Sequence, residues 1–239
     1  MIQYFIILIG GEFMESDVSN ATHTMDFNSI LTNTFFRMFL GLLASAVTAI
    51  YTYYSDIYIY MVESGAYYAF AIFEIIIVIL FTLFFKKASP KVVTIMFFGY
   101  AFLNGFTLST IFSAYEITSI GYAFSATAAM FGILAYIGYK TDKDLSNWMT
   151  PLLVSLTVGV VLTFINLFMG NTILDIVLTW GMLVIFFGLT IYDTNMIKLM
   201  YDSEFCNDEK LYVYGAMDLY LDFINIFLNI LSLFGKSKD

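Results

Sequence analysis

The sequence predicts an all-α membrane protein, a bundle of seven transmembrane helices with the C-terminal helix central. Three observations lead to this prediction. First, 60% of the 239 residues are hydrophobic and only 12% are charged, whereas a soluble domain carries about 25% charged residues. Second, seven apolar segments each reach the length of about 20 residues that a membrane-spanning helix needs. Third, the last of these segments carries a polar stripe that is unsuited to facing lipid.

The first three segments are separated by short polar breaks. Segment one covers residues 35–54 and is followed by "SDIYIYMVESG". Segment two covers 66–85 and is followed by "KKASPK", and segment three covers 92–114 and is followed by "YEITS". Segment two stops before Pro90, as expected because proline commonly follows a helix end.

The remaining four segments follow at similarly short intervals. Segment four covers 118–139, segment five 148–169, segment six 173–196 and segment seven 211–234. The breaks between them are "KTDKDLSN", "GNT" and "MIKLMYDSEFCNDEK". None of these breaks has room for a soluble module. We therefore predict one membrane domain over 35–235, followed by a short tail at 236–239.

Residues 1–34 differ from the rest of the chain. "MIQYFIILIGG" has nine residues before its glycines, too few to span a membrane, and it lacks the basic start and small-residue cleavage site of a signal peptide. We predict a disordered tail, a start codon placed too early, or an artificial extension. The only histidine, His23, lies here, so a histidine-based metal site or proton relay is not expected.

Lysines between the segments are confined to alternate breaks. The breaks after segments two, four and six hold seven lysines, and the other three hold none. Lysine-rich loops of membrane proteins face the cytoplasm, and Arg37 at the start of segment one puts the N-terminus on the same side. We favour a full seventh crossing, which leaves the tail "KSKD" outside. The alternative is a last segment that does not cross fully.

Segment seven carries the polar stripe. Asp218, Asp222, Asn225, Asn229 and Ser232 are spaced by four, three, four and three residues, which places them within an arc of about 80° on a helix. An ionised aspartate facing lipid near the bilayer centre costs roughly 2.5–3.5 kcal/mol. We therefore expect the stripe to face other helices or water. For the two asparagines and the serine, hydrogen bonding between helices is the simpler interpretation.

Acidic residues also occur in other apolar segments. Asp222 is about 16 Å along its helix, Asp193 lies near the end of segment six, and Glu74 lies near the middle of segment two. No lysine or arginine lies deep in any segment, so these acids share protons or bind a cation. Two carboxyls in contact titrate as one unit, and oxygen ligands suit calcium. Asp218 either widens this site or meets water at the inner mouth.

Several classes of function are not supported by the sequence. It has no phosphate-binding glycine pattern and no Walker-type lysine, and it lacks GxSxG, HExxH and a cysteine–histidine pair. We therefore expect no enzymatic activity and no cofactor. The net charge of −9 argues against a nucleic-acid partner. The expected partners are the lipid bilayer, calcium and protons.

Four motifs resemble the Bax inhibitor family, the transmembrane Bax inhibitor motif proteins, and look most similar to its bacterial members. These motifs are "NGFTLSTIF", "KTDKDLSN", "LTIYDTNMIK" and "LYLDFINIFLNILSLFG". They occur in the family's order, and the resemblance covers about residues 30–235. It implies a seven-helix bundle with the last helix central, and a calcium leak controlled by pH through a pair of aspartates.

The resemblance also implies roles for individual residues. Asp193 and Asp222 match the two aspartates of the pH sensor and gate, and we also consider them as calcium ligands. Glu74 falls where bacterial members carry a second-helix glutamate. Lys86 and Lys87 stand near the position of an arginine that pairs with the segment-six aspartate in some members.

The predicted function is a pH-sensitive calcium leak channel with passive flux, in a multi-pass membrane protein that would lie in the plasma (inner) membrane if it is bacterial. Its gate is Asp193 with Asp222, and calcium is the permeant or bound ion. Its ion pathway consists of Glu74, Asp218, Asn225 and Asn229. One alternative is a proton-coupled cation transporter, although the halves show no clear internal repeat of the kind that many transporters contain. The other is a non-transporting regulator that binds partner membrane proteins.

Overall fold

The computed structural model describes residues 24–85, 87–202 and 207–238. Its helices are connected by short loops, and a single 3-10 turn at Ser146–Trp148 precedes α7. In chain order the helices are α1 (Phe27–Tyr54), α2 (Ile57–Glu63), α3 (Ala66–Phe85), α4 (Pro90–Leu108), α5 (Ile111–Ala114), α6 (Ile117–Lys140), α7 (Met149–Met169), α8 (Thr172–Asp202) and α9 (Asp208–Phe234).

Among the described residues, seven spans are long and apolar enough to cross a membrane, as the sequence predicts. They are α1, α3, α4 together with α5, α6, α7 together with its 3-10 turn, α8 and α9. Five of them lie within three residues of the predicted segments at each end, and α8 continues six residues beyond the predicted end at 196. The hydropathy of about 20 consecutive residues is a local property, so the spans do not depend on how the helices pack.

The predicted start of the first span is wrong by two turns. The helix begins at Phe27 and not at residue 35, so residues 27–34 belong to α1 and not to a tail. Asp208 of α9 holds the preceding segment through its Oδ2, which accepts hydrogen bonds from the backbone N–H groups of Thr24 (2.9 Å) and Met25 (3.0 Å). Ile30 is then fully buried. The prediction for residues 1–23 lies outside the described residues.

The last helix is the most buried of the seven spans. Of its spanning window 61% is buried, against 17–44% for the other six. It packs against α1, α4, α6 and α8. The two aspartates of its polar stripe are buried, and so is much of its opposite, apolar side, where Phe223, Phe227 and Leu231 are each at most 5% exposed. A helix buried on most of its sides lies inside the bundle.

The lysine-rich breaks gather at one end of the bundle. Lys198 near the end of α8 donates to Asp142, which follows α6, at 2.9 Å. Lys210 at the start of α9 lies 5.7 Å from the ring centroid of Phe85, which ends α3. The segment at Thr24, held by Asp208, lies at this end too. The N-terminal segment and all three lysine-rich breaks are therefore on one side, in agreement with the lysine pattern.

The C-terminal tail lies at the opposite end. The backbone N–H of Glu116 donates to the carbonyl of Lys236 (3.0 Å), and that of Lys238 donates to the carbonyl of Ala114 (3.0 Å). The ammonium of Lys236 also pairs with the Glu116 carboxylate. Residues 235–238 thus form a strap across the short connection between α5 and α6. The last helix crosses the bundle completely, and the alternative of an incomplete crossing is wrong.

Two glycines set the distance between spans. A Cβ on Gly105 of α4 would lie 2.6 Å from the carbonyl oxygen of Ser45 in α1, and a Cβ on Gly138 of α6 would overlap the carbonyl of Ile191 in α8. Backbone cannot yield as a flexible side chain does, so both positions need glycine. Small residues that let backbones approach are characteristic of packing between membrane helices.

The sidedness is testable by cysteine labelling with a membrane-impermeant maleimide. In a variant whose only cysteine, Cys206, is replaced by serine, we expect Lys87→Cys and Lys143→Cys to react only from the cytoplasmic side. Glu116→Cys and Lys238→Cys should react only from outside. Reaction of the first two from outside would reverse the orientation. Reaction of Lys238→Cys on the side of Lys143→Cys would contradict the full crossing of α9.

Candidate functional site

The start of α9 is well defined by local interactions. Asn207 precedes the helix, and its side chain accepts a hydrogen bond from the backbone N–H of Lys210 at 3.0 Å. Asp208 and Glu209 occupy the first turn, where negative charge is favoured by the helix dipole. An asparagine at this position satisfies one of the unpaired N–H groups of the first turn. The rotation of α9 is then set by its neighbours, which bury the two aspartates further along.

Two aspartates of α9 are buried one turn apart. Asp222 has no exposed surface, and Asp218 is 5% exposed. A spacing of four residues places both on the same face of the helix. Asp218 is therefore inside the protein and not at an open inner mouth, while its part in a shared site stays a prediction.

Helix α8 brings a third carboxyl to this region. Asp193 is 6% exposed, and α8 packs along α9. Asp193 lies close enough to Asp218 for a direct electrostatic interaction, and the hydroxyl of Tyr214 donates a hydrogen bond to Asp218. The structure thus brings Asp193 together with Asp218 at the interface of α8 and α9. Direct contact between Asp193 and Asp222 stays a prediction.

Tyr214 connects this carboxyl cluster to α3. Its ring centroid lies 5.0 Å from that of Phe85, the last residue of α3. Phe85 in turn packs against Phe81, with ring centroids 5.9 Å apart. One tyrosine thus bonds to a buried carboxylate through its hydroxyl and contacts the cytoplasmic end of α3 through its ring. The sequence alone does not indicate a role for Tyr214, because a tyrosine at the start of an apolar segment carries no distinguishing pattern.

The outer half of the polar stripe is less buried than its inner half. Asn225 and Asn229 are half-buried, and Ser232 is exposed. The side-chain nitrogen of Asn225 donates to the carbonyl of Leu221, and that of Asn229 donates to the carbonyl of Asn225, each at 2.7 Å. These two bonds stay within α9 and do not join it to another helix. The interhelical role considered for the amides therefore receives no support from them.

Glu74 lies apart from the aspartate cluster, at the interface of α3 and α4. Its two carboxylate oxygens have separate donors: Thr107 donates to Oε1 at 2.8 Å, and the amide of Asn104 donates to Oε2 at 3.2 Å. Both donors belong to the motif "NGFTLSTIF", which the sequence analysis quoted only for its resemblance. A carboxylate in an apolar segment needs such partners, so the motif could have indicated them.

Two of the quoted motifs meet at the cytoplasmic end. The side chain of Asn195, two residues after Asp193, accepts a hydrogen bond from the backbone N–H of Leu145 (3.2 Å) and donates to the carbonyl of Thr141 (3.0 Å). Asn195 is 2% exposed. It clamps the loop between α6 and α7 onto α8 and thereby orients the turn that carries Asp193.

The ion pair of Lys198 and Asp142 beside this clamp is exposed to solvent. The hydrogen bond from the Lys198 ammonium holds the pKa of the Asp142 carboxyl below its ordinary value of 3.8. The Asp142 side chain is 93% exposed, and pairs of this kind are screened by water and contribute little to stability. Asp142 stays ionised at neutral pH and is not a candidate for the pH sensor.

A resident metal ion is not indicated by the described residues. Residues 24–85, 87–202 and 207–238 contain no group of three histidine, cysteine, aspartate or glutamate side chains positioned to hold a metal. A groove of about 500 Å³ between α1 and α6 is lined by apolar side chains, among them Phe35, Phe131 and Phe223. Such a lining does not suit a hydrated cation.

Of the two lysines considered as partners of Asp193, Lys87 is among the described residues and Lys86 is not. Lys87 is exposed, at the end of the bundle where the lysine-rich breaks lie. Lys86 lies outside the described residues. The pairing of a lysine with Asp193 therefore stays a prediction.

Comparison with known proteins agrees with the resemblance that the four sequence motifs show. Residues 27–239 match the family model described as "Inhibitor of apoptosis-promoting Bax1". The chain is 34% identical over 208 residues to the inner membrane protein YbhL of Escherichia coli K12, covering 84% of this chain and 88% of YbhL. It is 38% identical over 172 residues to an uncharacterized membrane protein of Streptococcus pyogenes serotype M3, covering 72% and 75%. With seven apolar spans and these relatives, the chain is a multi-pass protein of the inner membrane.

The clamp formed by Asn195 is testable. In Asn195→Ala both loop groups lose their buried partner, which costs about 1–3 kcal/mol. We expect a lower unfolding temperature in detergent and faster tryptic cleavage after Lys143. The matched control is Asn33→Ala, because the Asn33 amide donates only to the carbonyl of Ser29 in its own helix. Equal cleavage rates in the wild type and Asn195→Ala would show that Asn195 does not hold the loop.

Proposed function

The chain belongs to the Bax inhibitor family, and we propose that it is a pH-sensitive calcium leak channel gated by Asp193 and Asp222. The main support is the burial of three carboxyls, Asp193, Asp218 and Asp222, in the two helices α8 and α9, none more than 6% exposed. Buried acids within membrane spans are costly, and they commonly mark ion or proton pathways.

The proposed gate works through a shared proton. When Asp193 and Asp222 hold one proton between them, a hydrogen bond joins the carboxyl of one helix to the carboxylate of the other. Loss of that proton leaves two like charges in a medium of low dielectric, where their repulsion is large. Asp218 adds a further buried carboxyl within electrostatic range of Asp193. The interface of α8 and α9 then loosens as the pH rises.

Helix α3 is the element that would move. It packs mainly against α4 and the short α2, and its cytoplasmic end rests on Tyr214. Tyr214 is hydrogen-bonded to Asp218, so repulsion within the cluster displaces the side chain that supports α3. In this proposal α3 tilts away, and water and calcium enter.

Calcium passes through such an opening as a permeant ion. Oxygen ligands suit this cation, and in the proposed pathway Glu74, Asp218, Asn225 and Asn229 supply them in turn. Asn225 and Asn229 use their amide nitrogens on carbonyls of their own helix, which leaves carbonyl oxygens as the side-chain atoms for a cation. Weak successive sites fit conduction better than one tight site.

The direct test is calcium flux into proteoliposomes that contain only the purified protein, measured from pH 5 to pH 8. A leak channel carries calcium down its own gradient, with a rate that rises with pH and needs no proton gradient. Flux that depends on an imposed proton gradient would identify a proton-coupled transporter. No flux at any pH would contradict the channel and favour a regulator that acts through partner proteins.

We predict that Asp193→Asn and Asp222→Asn each flatten the pH dependence of flux. Two coupled carboxyls interact by more than about one pK unit, or about 1.4 kcal/mol, enough to change an open-to-closed ratio about tenfold. Each substitution removes that repulsion. The double variant should add little to either single one, because both residues act as one unit. Independent, additive shifts of the pH profile would show two separate sites.

The control for these variants is Asp142→Asn. The pKa of Asp142 is held below 3.8, so any stability from its charge is present above the unfolded pKa and is lost only as the pH falls through the lower, folded pKa. Between pH 5 and pH 8 it does not titrate. Asp142→Asn should therefore leave the pH profile of calcium flux unchanged, and so should Asp202→Asn at the end of α8.

A further inference from the structure

A chain of hydrogen bonds crosses the core from α1 to α3. The hydroxyl of Ser45 in α1 lies 2.7 Å from that of Tyr220 in α9, and the Tyr220 hydroxyl donates to Oδ1 of Asn104 in α4 at 2.9 Å. The amide of Asn104 then donates to Glu74 of α3 at 3.2 Å. Ser45, Tyr220 and Asn104 are 1%, 0% and 7% exposed. Four spans thus meet in one chain.

Counting protons gives the links from Tyr220 to Glu74 a direction. The phenol of Tyr220 has a single proton, which it donates to Oδ1 of Asn104. The Ser45 hydroxyl also has a single proton, and it lies 2.6 Å from the carbonyl oxygen of Ala101, so its contact with Tyr220 has no fixed direction. The Asn104 carboxamide has its oxygen toward Tyr220 and its nitrogen toward Glu74, so both links beyond Tyr220 donate toward the carboxylate. Thr107 donates to the other carboxylate oxygen at 2.8 Å, so an ionised Glu74 satisfies both donors.

The Tyr220 ring is held as firmly as its hydroxyl. It packs edge-on against Phe97 and Tyr100, with ring centroids 5.8 Å away in each case. Gly41 of α1 has no side chain to obstruct it, and a Cβ there would lie 3.3 Å from the Tyr220 ring. A buried ring fixed on two sides has one position for its hydroxyl. The position of the hydroxyl therefore follows the position of α9.

We propose that Tyr220 is a positioning residue for Glu74: through Asn104 it holds the carboxylate at the α3–α4 interface and couples it to α9. Tyr220 lies two residues before Asp222, so a displacement of α9 at the gate also moves this hydroxyl. Asn104 then loses the hydrogen bond from Tyr220 that orients its carboxamide. As a consequence, Glu74 loses one of its two donors. An effect of this displacement on calcium flux rests on the proposed channel function. The positioning of Glu74 does not.

The test of positioning is infrared spectroscopy of the intact protein in liposomes. The stretching bands of the Glu74 side chain are identified as those lost in Glu74→Gln. In Tyr220→Phe, which keeps the ring and removes the hydroxyl, these bands should shift. In Ser45→Ala, which removes the α1 partner of the Tyr220 hydroxyl and keeps Tyr220, they should shift less.

The matched control is Tyr100→Phe. Tyr100 is a buried tyrosine beside Tyr220 and near Glu74, and its hydroxyl takes part in none of the hydrogen bonds described above. The Glu74 bands should stay at the wild-type frequency. Unchanged bands in both Tyr220→Phe and Ser45→Ala would overturn the proposal. Equal shifts in Tyr100→Phe and Tyr220→Phe would also overturn it, because a general loss of packing would then account for them.

Calcium flux provides a second measurement. At the acidic pH at which the wild-type channel is closed, Tyr220→Phe should raise flux about fivefold or more, the lower range of coupling between sites. In the Glu74→Gln background the same substitution should have no further effect, because Tyr220 acts through Glu74. Additive effects would overturn the coupling. Absence of flux in the wild type would contradict the channel proposal, while the infrared bands would still decide the positioning of Glu74.

Discussion

A carboxylate inside a membrane must be removed from lipid, and this constraint governs the arrangement of the whole bundle. Asp218 and Asp222 lie on α9 and Asp193 on α8, each at a depth at which exposure to acyl chains costs several kcal/mol for an ionised group. Helix α9 is accordingly the most buried span, whereas α3 and α8 bury only 17% of their spanning windows. The other spans turn their apolar outer surfaces to the bilayer and separate the acids of α9 from it.

Helix α9 is tied down at both ends and in the middle. At its cytoplasmic end Asp208 holds Thr24 and Met25, and at its outer end the tail is strapped to Ala114 and Glu116. Between them Tyr220 joins it to α1 and α4. A helix restrained in this way bends or rotates more readily than it slides. In the proposed gate, repulsion within the aspartate cluster would then be transmitted sideways to neighbouring helices.

Helix α3 has few restraints against such a push. It packs chiefly on α4 and the short α2, and two of its contacts lead to α9. One is the packing of Phe85 on Tyr214, a residue of α9, at the inner end. The other is the hydrogen bond of Glu74 with Asn104, which in turn accepts from Tyr220 of α9. In the proposed gate, a change of charge beside Asp218 would therefore reach α3 at two places through a single helix.

The sequence by itself determined the seven spans, the two ends of the bundle and the acidic character of its last helix. Hydropathy, lysine distribution and helical spacing are local properties, and none of them depends on which helix packs beside which. They also located Asp193, Asp222 and Glu74 correctly as acids within apolar spans. The start of α1 at Phe27 was missed because the contacts that hold it come from Asp208, about 180 residues away in the chain.

Only the tertiary structure decided which polar groups meet. Asp218 lies beside Asp193 because α8 and α9 pack together, and Glu74 lies apart from them because its donors come from α4. Asn225 and Asn229, which look like groups that join helices, bond within their own helix. Ser45 and Tyr220 look like ordinary residues of an apolar segment, yet they join α1, α4 and α9. Such pairings depend on the rotation and neighbours of each helix, and these are fixed by side-chain packing over the whole bundle and not by any one segment.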